Sequence, residues 1–224
     1  MLLLAIDTSG RQGSIALARG GPGEACELIE ASSLMGGTFS AHLIPQIADL
    51  LKNHGFTPSD IGGFVVVAGP GSFTGLRVGL AAIKALAEVL EKPIAGVSLL
   101  EALAISTNLL GRVTTVIDAW RGDVYLGEYE LSDTGTQVIV EHLVTREACF
   151  ASVGNTTIVT PDQEIAEAAR SKGLHFIQVE HGPIAAIAQS GWKKIVSGQT
   201  VSAEALEASY FQRSDAELFA KSGS

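Results

Sequence analysis

Leu2-Leu3-Leu4-Ala5-Ile6-Asp7 and Val113-Thr114-Thr115-Val116-Ile117-Asp118 are the two stretches whose comparison settles the fold class. Each is an apolar or β-branched run suited to a strand buried on both faces, and each ends in an aspartate. Asp118 follows Asp7 by 111 positions, and a turn, a glycine and a hairpin come after both. Outward from the first run, the pattern predicts strands at 13–17 and 25–31, separated by Gly20-Gly21-Pro22-Gly23 and joined as antiparallel hairpins. Phe39, Leu43, Ile47 and Leu51 then recur at helical spacing over 39–54, with Gly55 as the stop. A strand at 64–68, a helix at 74–91, a strand at 94–97 and a helix at 99–106 complete the first series. From Val113 the order restarts: strands at 113–117, 124–129, 137–143, 157–159 and 176–179, with helices at 162–172 and 184–196. The expected architecture is α/β and duplicated, with halves at 1–108 and 109–224. In each half, three antiparallel strands precede alternating helices and parallel strands.

Composition narrows the function. The chain has 224 residues, enough for a sizeable core. Charged residues make up 17%, below the ~25% of typical soluble chains, so much of the surface is expected to be covered. Net charge is −9, which argues against a basic nucleic-acid clamp. Two cysteines, Cys26 and Cys149, are too few for a disulfide framework and read as reduced, buried thiols of a cytoplasmic protein. The first residues lack a basic lead and meet Asp7 too early for a signal peptide, and no uncharged apolar stretch approaches ~20 residues, so no membrane association is expected.

Two segments are candidates for chemistry. Asp7-Thr8-Ser9-Gly10, at a strand end, could contact phosphate or metal or simply form a turn. Ala68-Gly69-Pro70-Gly71-Ser72-Phe73-Thr74-Gly75 links a strand to a helix, where backbone N–H groups can meet an anion. It lacks the Lys-Ser/Thr of a phosphate-binding P-loop, the glycine spacing of a dinucleotide fingerprint and the first glycine of a hydrolase elbow. Asp7, Thr8, Ser9, Gly71 and Ser72 are therefore the cofactor-binding candidates. None of the five histidines pairs at metal-ligand spacing, and neither a metal, a cofactor nor catalysis by the chain alone is expected. Helix 74–91 carries its charges, Arg77, Lys84, Glu88 and Glu91, on one narrow stripe, so two of its sides should be buried. With helix 39–54 it is expected to form a partner surface of Leu43, Ile47, Gly75, Val78, Gly79, Ala82, Ala85 and Leu86, the small residues facing outward.

The blocks Ile6-Asp7-Thr8-Ser9, Ala68 to Gly79, Ala82 to Leu86, Gly96-Val97-Ser98-Leu99-Leu100-Glu101-Ala102, Asp118-Ala119, Gly122-Asp123-Val124-Tyr125 and Tyr210-Phe211-Gln212-Arg213 resemble the bacterial TsaB (YeaZ) family. The resemblance runs from the first residues to near the C-terminus. It implies the duplicated actin-like ATPase and sugar-kinase fold, ribonuclease H-like in each half, with a degenerate nucleotide cleft. It also implies a part in making threonylcarbamoyladenosine beside the tRNA anticodon. There a TsaD-like catalytic paralogue transfers a threonylcarbamoyl group from an adenylate made by a separate enzyme, and a TsaE-like ATPase joins. The implied role is a non-catalytic scaffold or activator that reaches tRNA only within the complex and can form a homodimer when alone. The paralogue's His-x-x-x-His metal pair is replaced by Leu99 and Leu103, and the second phosphate loop is filled by Asp118-Ala119-Trp120-Arg121-Gly122, Trp120 standing where an arginine is expected. No Gly-Gly adenosine signature lies near Val159-Thr160-Pro161-Asp162. The competing class is an actin-like small-molecule phosphotransferase or ATPase using Asp7; a metalloprotease lacks ligands altogether.

Overall fold

The computed structural model describes residues 1–21, 23–35 and 37–209. Pro22 and the Tyr210–Arg213 block lie outside the described residues. Two compact units emerge, one comprising Met1–Leu99 and Gly182–Ser209, the other containing Leu100–His181.

The first unit is built on a five-stranded sheet in the order β3-β2-β1-β4-β5. β1 (Leu2–Asp7) is its centre and is buried along its whole length, as a continuous apolar run requires. It pairs antiparallel with β2 (Gly13–Arg19), which pairs antiparallel with β3 (Glu27–Leu34). On the other side it runs parallel to β4 (Ile61–Gly69), and β4 runs parallel to β5 (Ile94–Ser98). α1 (Phe39–Asn53) buries Phe39, Leu43, Ile47, Leu50 and Leu51 and packs on β2, β3 and α2 (Phe73–Leu90). α2 buries Leu76, Leu80, Ile83 and Ala87 at three- and four-residue intervals against the sheet. α6 (Ile184–Val196) packs on β1, β4 and β5. Beyond it, residues 200–209 run along the sheet edge: the Val201 N–H donates to the Ile94 carbonyl at 2.9 Å, and the Ser209 N–H donates to the Ala68 carbonyl at 2.8 Å. Leu206 is buried between these two anchors.

The second unit repeats the plan with the order β10-β9-β6-β7-β8. β6 (Gly111–Asp118) takes the place of β1, antiparallel to β7 (Asp123–Ser132) and parallel to β9 (Thr157–Thr160). β7 pairs antiparallel with β8 (Gly135–Thr145), and β10 (Phe176–Gln178) runs parallel to β9. Val116, Val124, Leu126, Val144, Cys149, Ile158 and Ile165 form the core between this sheet, α4 (Arg146–Ser152) and α5 (Gln163–Ser171). α3 (Leu99–Ser106) falls, from Leu100 onward, in this unit.

Asp7 and Asp118 therefore end equivalent strands, and the expected duplication is present. The expected boundary at 108/109 needs correction. Compactness divides the chain between Leu99 and Leu100 and returns Gly182–Ser209 to the first unit. The physical reason is α6: its apolar face is a layer on the first sheet, although the helix comes last in the second series. A short helix, α4, was also not expected from the sequence. It is capped by the Thr145 hydroxyl, which accepts the Ala148 N–H at 3.1 Å.

Candidate functional site

The five candidate residues after β1 and β4 do come together, but as partners of one another. The Asp7 carboxylate oxygen Oδ1 accepts the Ser9 N–H at 2.8 Å and the Ser9 hydroxyl at 2.6 Å. Thr8 Oγ1 donates to the Gly75 carbonyl at 2.7 Å. The Ser72 N–H donates to the Ser9 carbonyl at 2.7 Å, and the Ser72 hydroxyl, capping α2, accepts the Gly75 N–H at 3.3 Å. Asp7, Thr8 and Ser9 are buried. Their polar atoms thus complete a strand-to-turn-to-helix joint, which a buried carboxylate and two buried hydroxyls require. Gly71 belongs to the same joint, because a Cβ there would lie 2.5 Å from the Ser9 carbonyl oxygen.

The same joint explains two glycines assigned above to a partner surface. A Cβ on Gly75 would stand 2.0 Å from the Thr8 carbonyl oxygen, and one on Gly79 would stand 2.4 Å from Thr8 Oγ1. Both glycines are spent on the approach of α2 to Thr8. Leu43 and Ile47 likewise turn inward, at 1% and 4% exposure. These four residues line the interior, a correction to the expected outward face. Val78, Ala82 and Leu86 are half-buried, and Ala85 is exposed. The outer side of α2 also displays Phe73, Ala81 and Val89, and that of α1 displays Ile44. The Arg77 guanidinium lies 3.6 Å over the centre of the Phe73 ring, covering part of that aromatic surface.

At the equivalent point of the second unit, sequence reasoning missed an ionic cluster. Arg146 Nη2 donates to Asp118 Oδ1 at 2.8 Å, and the Asp118 N–H donates to Asp162 Oδ2 at 2.7 Å. His181 Nε2 lies 3.3 Å from Asp162 Oδ1, and Arg146 Nη2 lies 3.7 Å from Glu164 Oε2. Arg146 Nε is buried and makes no hydrogen bond among the described residues. In the sequence, Asp118 stands out only as a strand-end aspartate. Nothing local in the sequence points from it to Arg146, which is 28 residues away. A guanidinium in direct contact with Asp118 offsets the charge that a metal ion would need there.

Leu99 and Leu103 are 5% and 0% exposed, core side chains of α3. No group of three or more His, Cys, Asp or Glu side chains is placed to hold a metal among the described residues. No helix among them is long and apolar enough to cross a membrane. Burial raises both thiols, Cys26 to about 11 and Cys149 to about 12, so neither is an activated nucleophile.

A family model described as TsaD, tRNA N6-adenosine threonylcarbamoyltransferase, matches residues 34–219. The tRNA threonylcarbamoyladenosine biosynthesis protein TsaB of Bacillus subtilis is 31% identical over 195 residues, which cover 82% of this chain and 83% of that protein. The protein of the same name from Escherichia coli is 35% identical over 138 residues, covering 60% of this chain and 58% of its own. Among solved structures, YeaZ from Pseudomonas aeruginosa superposes with a TM-score of 0.77 at 23% identity, over 94% of this chain and 99% of that one. A second structure from the same organism, of an uncharacterized protein with similarity to peptidase YeaZ, gives 0.78 at 24% with the same coverage. The repeated strand order and these superpositions agree on the duplicated actin-like, ribonuclease H-like fold. With a TsaB relative 31% identical and matched over 83% of its length, and a related family model matching residues 34–219, the chain belongs to the TsaB (YeaZ) family.

Proposed function

We propose that this chain serves tRNA threonylcarbamoyladenosine biosynthesis as a non-catalytic scaffold or activator. It supports threonylcarbamoyl transfer to the adenosine beside the anticodon through a TsaD-like catalytic paralogue, and a TsaE-like ATPase joins the pair in the cytoplasm. The observation that carries this reading is Leu99 and Leu103, buried in the core where a catalytic paralogue would place its metal-binding histidines. Leucine offers a metal no donor atom, and two core leucines cannot turn outward without leaving a cavity. The Asp7 joint supports the same reading against a phosphotransferase, since its Oδ1 already accepts both the Ser9 N–H and the Ser9 hydroxyl.

The docking face in this reading is the outer side of α1 and α2. Ile44, Val78, Ala81, Ala82, Ala85 and Val89 offer small or apolar side chains there, and the helices of a paralogue or of a second copy can lie across them. Apolar burial at ~25 cal/mol per Å² over about 800 Å² per partner leaves a surplus after the costs of association. Sedimentation of the chain with its TsaD-like paralogue tests this. The wild type co-sediments, and Ala85→Arg stays folded but loses about tenfold or more in affinity, because the arginine is buried without a counter-charge. Glu167→Ala, on the exposed side of α5, leaves association unchanged. Unaltered association of a folded Ala85→Arg variant would remove the docking face from the account.

A further inference from the structure

Trp120 is 62% exposed, whereas the chain's other tryptophan, Trp192, is 6% exposed. It stands at the tip of the β6–β7 hairpin in an unusual backbone: Trp120, Arg121 and Gly122 have φ of 60°, 56° and 86°. Two of the three are L-residues with full side chains, which avoid the left-handed region. The tip is nonetheless held firmly. The Ala119 N–H donates to the Asp123 carbonyl at 3.0 Å, the Asp123 N–H to the Trp120 carbonyl at 3.1 Å, and the Arg146 N–H to the Gly122 carbonyl at 2.8 Å. Asparagine or glycine would suit positions 120 and 121 better as turn residues. The chain instead presents two consecutive exposed residues, a tryptophan and an arginine, on a hydrogen-bonded support.

We propose that Trp120 and Arg121 form a contact site for an unpaired nucleobase of an RNA, with the indole as stacking face and Arg121 reaching the neighbouring phosphate. Three observations favour this ligand over a protein partner. Among the described residues of the second unit the aromatic stands apart: the other large exposed apolar residues are Leu110, at the opposite end of β6, and Val138 and Ile139, beyond mid-strand on β8. A protein hot spot sits within a ring of contacts that excludes water, and the described residues supply no such apolar ring around Trp120, whereas one aromatic plus one arginine suffices to stack a splayed base. The tip also lies at the carboxyl end of β6, the end of the sheet at which open α/β folds bind ligands. Finally, the nearest carboxylate on β6, Asp118, is offset by Arg146, which limits repulsion of a phosphate. Asp123, Glu147, Asp162 and Glu164 keep the surroundings acidic, so the contact contributes stacking and position rather than bulk affinity. The proposal deepens the role in tRNA modification and rests on it for the identity of the RNA.

The test uses the full chain, alone and in complex with its TsaD-like paralogue, and a short labelled RNA stem-loop with an unpaired loop. Indole emission and RNA anisotropy are read together. Within the complex, saturable binding is expected with quenching of the exposed tryptophan, and a duplex of equal length should bind about tenfold more weakly. Trp120→Asn, which suits the left-handed backbone, should lose about tenfold in affinity; Trp120→Phe should stay within about threefold of wild type. If Trp120→Asn binds the stem-loop as wild type does in both settings, or if neither setting shows a preference for unpaired bases, the proposal falls. Quenching by the paralogue without RNA would likewise overturn it in favour of a protein contact. Sedimentation of Trp120→Asn with the paralogue separates the two readings, since intact association leaves the scaffold role standing when the RNA contact fails.

Discussion

Gly75→Ala sets two well-known effects against each other, and the structure decides the sign. On an open helix surface the change would stabilise by about 1 kcal/mol through helix propensity. Here the new methyl carbon would stand 2.0 Å from the Thr8 carbonyl oxygen, where ordinary contact begins at 3.4 Å. Thr8 is buried at the end of β1, and its hydroxyl is bonded to the Gly75 carbonyl at 2.7 Å. Relief therefore requires α2 to lift from the strand end or the Thr8 backbone to move, and either motion breaks that bond. Overpacking costs about 1–3 kcal/mol, and a buried hydroxyl left without its acceptor about 1–3 kcal/mol more. After the helix gain, the net loss is about 1–5 kcal/mol. For a chain of this size that lowers the melting temperature by about 2–20 °C in differential scanning calorimetry. Gly79→Ala should cost less, since its clash is with the Thr8 side chain, which can rotate at the expense of one hydrogen bond. A Gly75→Ala protein that melts higher than wild type but no longer associates would refute the assignment and return Gly75 to the docking face.

Leu206→Ala should destabilise the first unit by about 2–4 kcal/mol, because Leu206 is 2% exposed and anchors the segment along β5. Hydrogen exchange should then quicken at Val201 and Ser209, whose N–H groups hold that segment, and unchanged protection there would contradict the anchoring role. Burial pushes the Cys149 thiol up to about 12, so the unfolded chain releases this proton from about pH 9 while the folded chain keeps it until about 12. Stability from this group is complete below pH 9 and falls between 9 and 12 by up to ~1.4 kcal/mol per pH unit. Denaturant titrations of Cys149→Ala across that window should show a shallower decline than wild type, and parallel declines would exclude the thiol as a source.

What the sequence disclosed followed from how much of each signal is local. β1 and β6 were legible because a strand buried on both faces must be apolar throughout, and the aspartate that ends each is visible in the same few residues. α1 was legible from the helical spacing of its apolar residues, α2 from a long run with its charges on one stripe, and α6 as a further helix in the repeated order. Spacing shows that a helix has an apolar face but not which sheet receives it. α6 therefore read as part of the second half, although its side chains cover β1, β4 and β5. Gly75 and Gly79 posed the same problem at finer scale: small residues announce a close approach, and only the structure says that Thr8, rather than a partner, is what comes close. The cluster of Arg146, Asp162 and His181 around Asp118 joins residues from separate turns and helix starts, each unremarkable in its own surroundings. α4, at seven residues, was too short to display a period.

The proposed role is to make transfer possible without performing it. The most direct measurement is threonylcarbamoyladenosine formed in unmodified tRNA, read by nucleoside mass spectrometry after digestion. The reaction contains threonylcarbamoyl-adenylate, the TsaD-like paralogue and the TsaE-like ATPase, each combination run with and without this chain. This role requires no product from this chain alone, sustained product only when it accompanies the paralogue, and a loss of about tenfold with Ala85→Arg at limiting concentration. Product formed by this chain without the paralogue, or equal product from the paralogue without this chain, would contradict it.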